Sequence, residues 1–141
     1  MAVEAKLSLF SAYENIELAE KVLADLARSF MDEEGIYWAA MALREALANA
    51  IKHGNKLNPE KRVLVTIHLE EERELRITVE DEGEGFDPSQ LADPRSPENL
   101  LKEHGRGVFY IRHFMDEVSF GRSATGGSKV ELVKRLSRRS T

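Results

Sequence analysis

Cysteine is absent from the 141 residues, which excludes a disulfide framework, a thiolate metal site and a cysteine nucleophile. No apolar run approaches the length of a bilayer span, and the first residues lack the basic-then-apolar pattern of a secretory leader. The expected location is therefore the cytoplasm, with no membrane partner. Positive charge is in deficit: 20 Lys and Arg face 25 Asp and Glu, a formal net charge of -5. Nucleic acid and anionic lipid need a basic surface, so neither is an expected partner. The basic cluster Lys134-Arg135 and Arg138-Arg139 reads as a solvated terminus. Proline is scarce, and three of the four prolines (Pro88, Pro94 and Pro97) fall in one stretch.

What is present is a normal apolar content, 42% of residues, enough for a single core in one domain over residues 1–141. Leu7 and Leu9 alternate with polar neighbours, which predicts an edge strand over residues 5–11. Leu18, Val22, Leu26 and Phe30 recur every four residues beside Ala19 and Leu23, which predicts a helix over 14–30. A second helix is predicted from Ile36 to His53 on the stripe Ala39, Leu43, Ala46, Leu47, Ala50 and Ile51, stopped by Gly54-Asn55. Val63, Val65, Ile67 and Leu69, then Leu75, Ile77 and Val79, predict two strands joined as a hairpin. Glu82 to His104 has no periodicity and reads as a loop. A short helix is predicted over 107–114, and a last hairpin from residues 118–122 and 129–134. Helices and strands are grouped rather than alternating. The expected fold is therefore α+β: a two-layer α/β sandwich whose mixed, mainly antiparallel sheet carries its helices on one face.

Three clusters could carry chemistry. Glu45 and Asn49 lie four apart on one helix face, among small apolar residues. Glutamate can take a proton from a hydroxyl, and the asparagine carbonyl is a hard oxygen ligand of the kind Mg²⁺ accepts. Asp81 keeps the parity of Leu75, Ile77 and Val79, so it should point to the covered face at a strand end, where a carboxylate needs a donor. A purine amino group or the amides of the following turn would serve. Gly83 and Gly85 behind it allow a close backbone approach. Gly105, Arg106, Gly107 and Val108 open the short helix, where free amides and the helix dipole attract phosphate and Arg106 adds charge. Each cluster alone is matched by a plain structural reading: a helix rim, a glycine turn and a hinge. The four histidines show no metal-ligand spacing.

In order, the three clusters resemble the N, G1 and G2 boxes of the GHKL (Bergerat-fold, histidine-kinase-like) ATPases. Arg44 to Gly54 is similar to an N box, Asp81-x-Gly83-x-Gly85 to G1, and Gly105-x-Gly107 to G2. Gly105 to Ile111 running into Phe114 to Val118, and the ending Gly126 to Leu132, are similar to the anti-sigma-factor serine/threonine kinases of the RsbW type. The likeness covers residues 8–136. It implies ATP and Mg²⁺ as cofactors, with Asn49 as the metal-holding residue and Glu45 as the catalytic base. Asp81 would read the adenine amino group. The rest of the nucleotide-contacting set would be His53 at the close of the N box, Gly83, Gly85, Gly105, Arg106, Gly107 and Val108, with residues 87–104 as a lid. It further implies an anti-sigma-factor antagonist protein as phosphorylation substrate, a sigma factor as second partner, and a homodimer. In sporulation-type members a basic residue precedes the G2 turn; Glu103 and His104 stand there in this chain. The competing function is a regulatory module that binds ATP and a partner without phosphorylating it.

Overall fold

A computed structural model describes residues 1–83 and 111–137. The elements are β1 (Ala2–Phe10), α1 (Glu14–Ala27), α2 (Glu33–Asn49), a π-helical turn (Ala50–Gly54), β2 (Arg62–Glu70), β3 (Glu74–Glu80), β4 (Glu117–Arg122) and β5 (Ser128–Arg135). Residues 111–114, which lead into β4, are also helical. The strands lie in the order β1-β2-β3-β5-β4, and every described neighbour pair is antiparallel. The two hairpins and the edge position of β1 are as the alternation predicts. β1 starts earlier than expected because it pairs with the full length of β2, from Ala2↔Glu70 to Phe10↔Arg62.

One sheet face carries the core. Val63, Val65, Ile67 and Leu69 of β2, Leu75, Ile77 and Val79 of β3 and Leu132 of β5 are buried beneath the helices. Fully burying one such side chain stabilises the fold by about 1.5–3 kcal/mol. α2 contributes Ala39, Ala42, Leu43, Ala46 and Leu47. The alanines let the helix approach the sheet closely. α2 begins three residues before the expected Ile36 because Asp32 caps it, its Oδ1 accepting from the Gly35 N–H at 2.8 Å.

The buried stripe of α1 is Ile16, Ala19, Leu23 and Ala27. Leu18, expected on that stripe, is 49% exposed. A four-residue step overshoots a full turn by about 40°, so four residues joined by three such steps cannot share one narrow face. The helix also stops at Ala27, where the Phe30 and Met31 amides both donate to the Ala27 carbonyl.

The link from α2 to β2 contains a conspicuous turn. Lys56 and Leu57 have φ of 52° and 59°, and the Asn58 N–H donates to Asn55 O at 3.0 Å. Two consecutive positive φ values across such a bond define a type I′ turn, which favours Asn and Gly over lysine and leucine. Leu57 is 49% exposed and contributes little packing. Leu57→Gly is therefore expected to stabilise the fold by about 1 kcal/mol, read as a higher urea midpoint at unchanged m-value.

Candidate functional site

The end of α2 and the end of β3 meet at one carboxylate. Asp81 continues the inward parity of β3 and is 5% exposed. Its backbone N–H donates to Ser128 O at 2.9 Å, extending the β3–β5 ladder by one step. Its side chain then takes over: Oδ1 accepts from the Ser128 N–H at 2.9 Å and from the Gly83 N–H at 3.0 Å. The second bond is an Asx turn, which folds residues 81–83 back over the carboxylate. The Asp81 carbonyl accepts from Ser123 Oγ at 3.3 Å and Thr125 Oγ1 at 3.4 Å, both in the β4–β5 turn. Among the described residues, both hydrogen bonds to the carboxylate thus fall on Oδ1.

Oδ2 lies toward the helix end. A Cβ added to Gly54 would stand 2.1 Å from Asp81 Oδ2, one added to Gly83 would stand 2.1 Å from Gly54 O, and one added to Gly127 would stand 2.1 Å from Asp81 O. No side chain fits at any of these positions. Three segments distant in sequence therefore touch backbone to backbone around one acid. Such close packing sets Oδ2 against the Gly54 backbone, away from the two amides on Oδ1.

The π turn makes this approach possible. After Asn49 the hydrogen bonding widens, the Asn55 N–H reaching Ala50 O at 2.8 Å. The wider turn carries Gly54 against β3 and leaves Asn49 as the last residue of regular α-helix. π-Turns within helices are frequent at functional sites. Glu45 sits one helical turn earlier on the same face, and both it and Asn49 are half-buried. Burial raises the Glu45 carboxyl above the ordinary glutamate value of 4.5, because the charged form loses water. Arg44 points elsewhere, to an ion pair with Glu20 of α1 at 2.8 Å.

The structure thus brings Asp81 and Gly83 against Gly54, in the turn that follows the helix bearing Glu45 and Asn49. His53 lies in the π turn and is exposed. Gly85, Gly105, Arg106, Gly107 and Val108, with the expected loop at 87–104, lie outside the described residues. Among the described residues no group of three or more His, Asp or Glu could hold a metal by itself. The donor set fits Mg²⁺ only as one asparagine oxygen beside phosphate ligands, the mode this ion commonly uses. No described helix is long and apolar enough to cross a membrane.

Sequence reasoning missed Asn55, Ser123 and Ser128 as parts of the site. Ser128 was legible in principle, since the β3–β5 register places it opposite Asp81, one step beyond the pair Glu80↔Lys129. Asn55 read only as a helix stop. Its side chain is in fact 1% exposed and fully engaged. Nδ2 donates to Ser11 Oγ at 2.7 Å and to Arg62 O at 2.9 Å, while Oδ1 accepts from the Glu82 N–H at 2.8 Å.

The chain has relatives among known proteins. The Histidine kinase-like ATPase domain family matches residues 10–134. The anti-sigma F factor of Bacillus cytotoxicus is 37% identical over 97 residues, 66% of this chain and 64% of that protein. The anti-sigma F factor of Bacillus subtilis is 35% identical over 98 residues, 67% of this chain and 65% of that protein, so these two matches each span just under two thirds of the relative. The anti-sigma F factor of Oceanobacillus iheyensis is 30% identical over 148 aligned positions, covering 100% of this chain and 98% of that protein. In fold, the chain is similar to a crystal structure of the RsbU and RsbW domains of a Mycobacterium tuberculosis protein. The TM-score is 0.66 at 19% identity, over 99% of this chain and 35% of that one. With its sheet order, its glycine-walled aspartate and this match across nearly its whole length, the chain belongs to the histidine kinase-like ATPase domain family.

Proposed function

We propose that this protein is an ATP-dependent serine/threonine kinase of the anti-sigma type. In this reading it transfers the γ-phosphate of ATP to a Ser or Thr of an antagonist protein and sequesters a sigma factor. The carrying observation is the Asp81 carboxylate, held by two amides on Oδ1 and walled by glycine on its Oδ2 side. The names of relatives support the rest: anti-sigma F factors, and the serine-protein kinase RsbW of Staphylococcus epidermidis, 28% identical over 92% of this chain and 84% of that protein.

The division of labour follows from side-chain chemistry. Asp81 accepts from the adenine amino group and so prefers ATP to GTP. Asn49 would hold Mg²⁺ through its carbonyl oxygen, where a bound ion would supply neutralisation of phosphate charge. Glu45 accepts the proton of the attacking hydroxyl. Its Oε forms the new O–H bond as the hydroxyl oxygen bonds to the γ-phosphorus and the bond to the ADP oxygen breaks. His53, Gly83, Gly85 and the Gly105-Arg106-Gly107-Val108 stretch complete the nucleotide-contacting set. Catalysis rests on positioning and charge neutralisation, as phosphoryl transfer generally does. The protein acts in the cytoplasm as a homodimer.

Burial of Glu45 favours the kinase over a module that only binds ATP, because a carboxyl moved up toward neutral pH is a better base. Incubation with Mg²⁺, γ-labelled ATP and a candidate antagonist protein is the deciding test. Label recovered on Ser or Thr of the antagonist is the expected result. Saturable ATP binding with no label on any antagonist tried would sink the kinase reading and leave the binding module.

A further inference from the structure

Asn55 touches no part of the reaction described above, yet it ties the Gly54 and Glu82 sides of the Asp81 site to β1 and β2. It follows Gly54, whose Cα abuts Asp81 Oδ2. Its Oδ1 holds the amide of Glu82, the residue between Asp81 and Gly83. Both amide hydrogens of Nδ2 are used, on Ser11 Oγ beyond β1 and on the Arg62 carbonyl at the start of β2. The network closes on itself: the Arg62 N–H donates to Glu82 Oε1 at 2.6 Å, and Ser11 Oγ donates to Lys61 O at 2.7 Å. With two acceptors facing Nδ2 and one donor facing Oδ1, the amide has one orientation only. A 1% exposed carboxamide with every partner satisfied is a rigid clamp.

We infer that Asn55 is the positioning residue for base recognition: through the Glu82 amide and the Gly54 backbone it holds the Asp81 carboxylate in the orientation that selects adenine. The inference rests on the proposed reading of Asp81. Without the clamp the Asp81–Glu82 peptide is held only at its carbonyl by Ser123 and Thr125, the Gly83 N–H loses its aim at Oδ1, and the carboxylate, left with the Ser128 N–H, can rotate away from the base. The loss should fall on the contact with the 6-amino group and spare the rest of the nucleotide.

The test compares Mg²⁺-ATP with Mg²⁺-purine riboside triphosphate, which lacks that amino group, on the full chain at a temperature well below unfolding. Asn55→Ala is expected to weaken ATP binding about tenfold, while the affinity for purine riboside triphosphate stays within about twofold. A purely structural role would lower both affinities together or neither, and either pattern overturns the inference. Should Asn55→Ala not fold, Ser11→Ala removes one acceptor of the clamp at a site remote from the base. It should then weaken ATP binding about threefold with purine riboside triphosphate again unchanged, and an unaltered ratio overturns the inference. Asp81→Ala in the same assay separates the two claims. If it leaves the ATP preference of the wild type intact, the adenine reading fails and takes the clamp with it. If it abolishes the preference while the Asn55 and Ser11 variants keep it, the clamp alone fails.

Discussion

Asp81→Asn is expected to weaken ATP binding by about a hundredfold while leaving the thermal midpoint almost unchanged. The change is isosteric, so the glycine walls still fit. Its force lies in the two amides that point at Oδ1, from Gly83 and Ser128. They require an acceptor, so the asparagine carbonyl must turn to them and its NH₂ must turn to the Gly54 side. A donor then faces the donor amino group of adenine. The lost bond is replaced by repulsion, which is how a polar site rejects a near-isostere. The same inversion predicts a gain: a base with a carbonyl at the 6-position meets a donor in the variant. Titration with ATP and ITP should show the preference narrowing or reversing. An Asp81→Asn protein that still binds ATP as tightly as wild type would remove this carboxylate from base recognition.

The second large effect concerns Glu45. Glu45→Gln is expected to lower the phosphoryl-transfer rate by about 10²–10⁴-fold, with ATP affinity within about twofold of wild type. The side chain keeps its size and loses only its ability to take a proton. For the wild type, the transfer rate should climb with pH as the carboxyl ionises, at a pH above the ordinary glutamate range because burial raises it. The variant should show no such step.

Stability should move the other way. A carboxyl raised in the folded state binds its proton more tightly there than in the unfolded chain. The fold thus has full benefit below the unfolded value of 4.5 and loses stability as pH rises through the folded value. Glutamine has no charge to desolvate, so Glu45→Gln should melt above wild type at neutral pH, with the difference vanishing in acid. Equal melting temperatures across that range would show that Glu45 is not held at a cost to the fold. The trade is typical of a group kept for chemistry rather than packing.

Much of the fold was legible from side-chain parity alone. β2, β3 and the β4–β5 hairpin follow from alternation, and Asp81 was placed on the covered face by counting in twos from Leu75. Parity works because a strand has no choice of face once its neighbours are buried. The α1 stripe was less legible: of Leu18, Val22, Leu26 and Phe30, Phe30 is buried and Val22 and Leu26 pack against the core, but the helical repeat turns Leu18 out to solvent and centres the stripe on Ile16, Ala19, Leu23 and Ala27. Glu45 and Asn49 were found by spacing, because helix geometry puts residues four apart on one side. Asn55 could not be found that way. Its partners Ser11 and Glu82 lie 44 and 27 residues off, and only the folded sheet brings them to it. Gly54 was likewise read as a helix stop, when its lack of a side chain is needed for contact with a carboxylate on another element.

The π turn at Ala50–Gly54 also bears on how this chain tolerates changes in length. Such a turn is equivalent to one residue added to a helix. The addition leaves everything before it in register, so Glu45 and Asn49 keep their places relative to Leu43 and Leu47. Everything after it is rotated by roughly 100°. That rotation is what faces Gly54 and Asn55 toward β3. Loss of one residue here would restore a regular helix and turn both away, with no substitution anywhere. Spacing between Asn49 and Gly54 is therefore as strongly constrained as the identities of the residues themselves, and an alignment gap placed in that interval would mark a relative that has rebuilt its site.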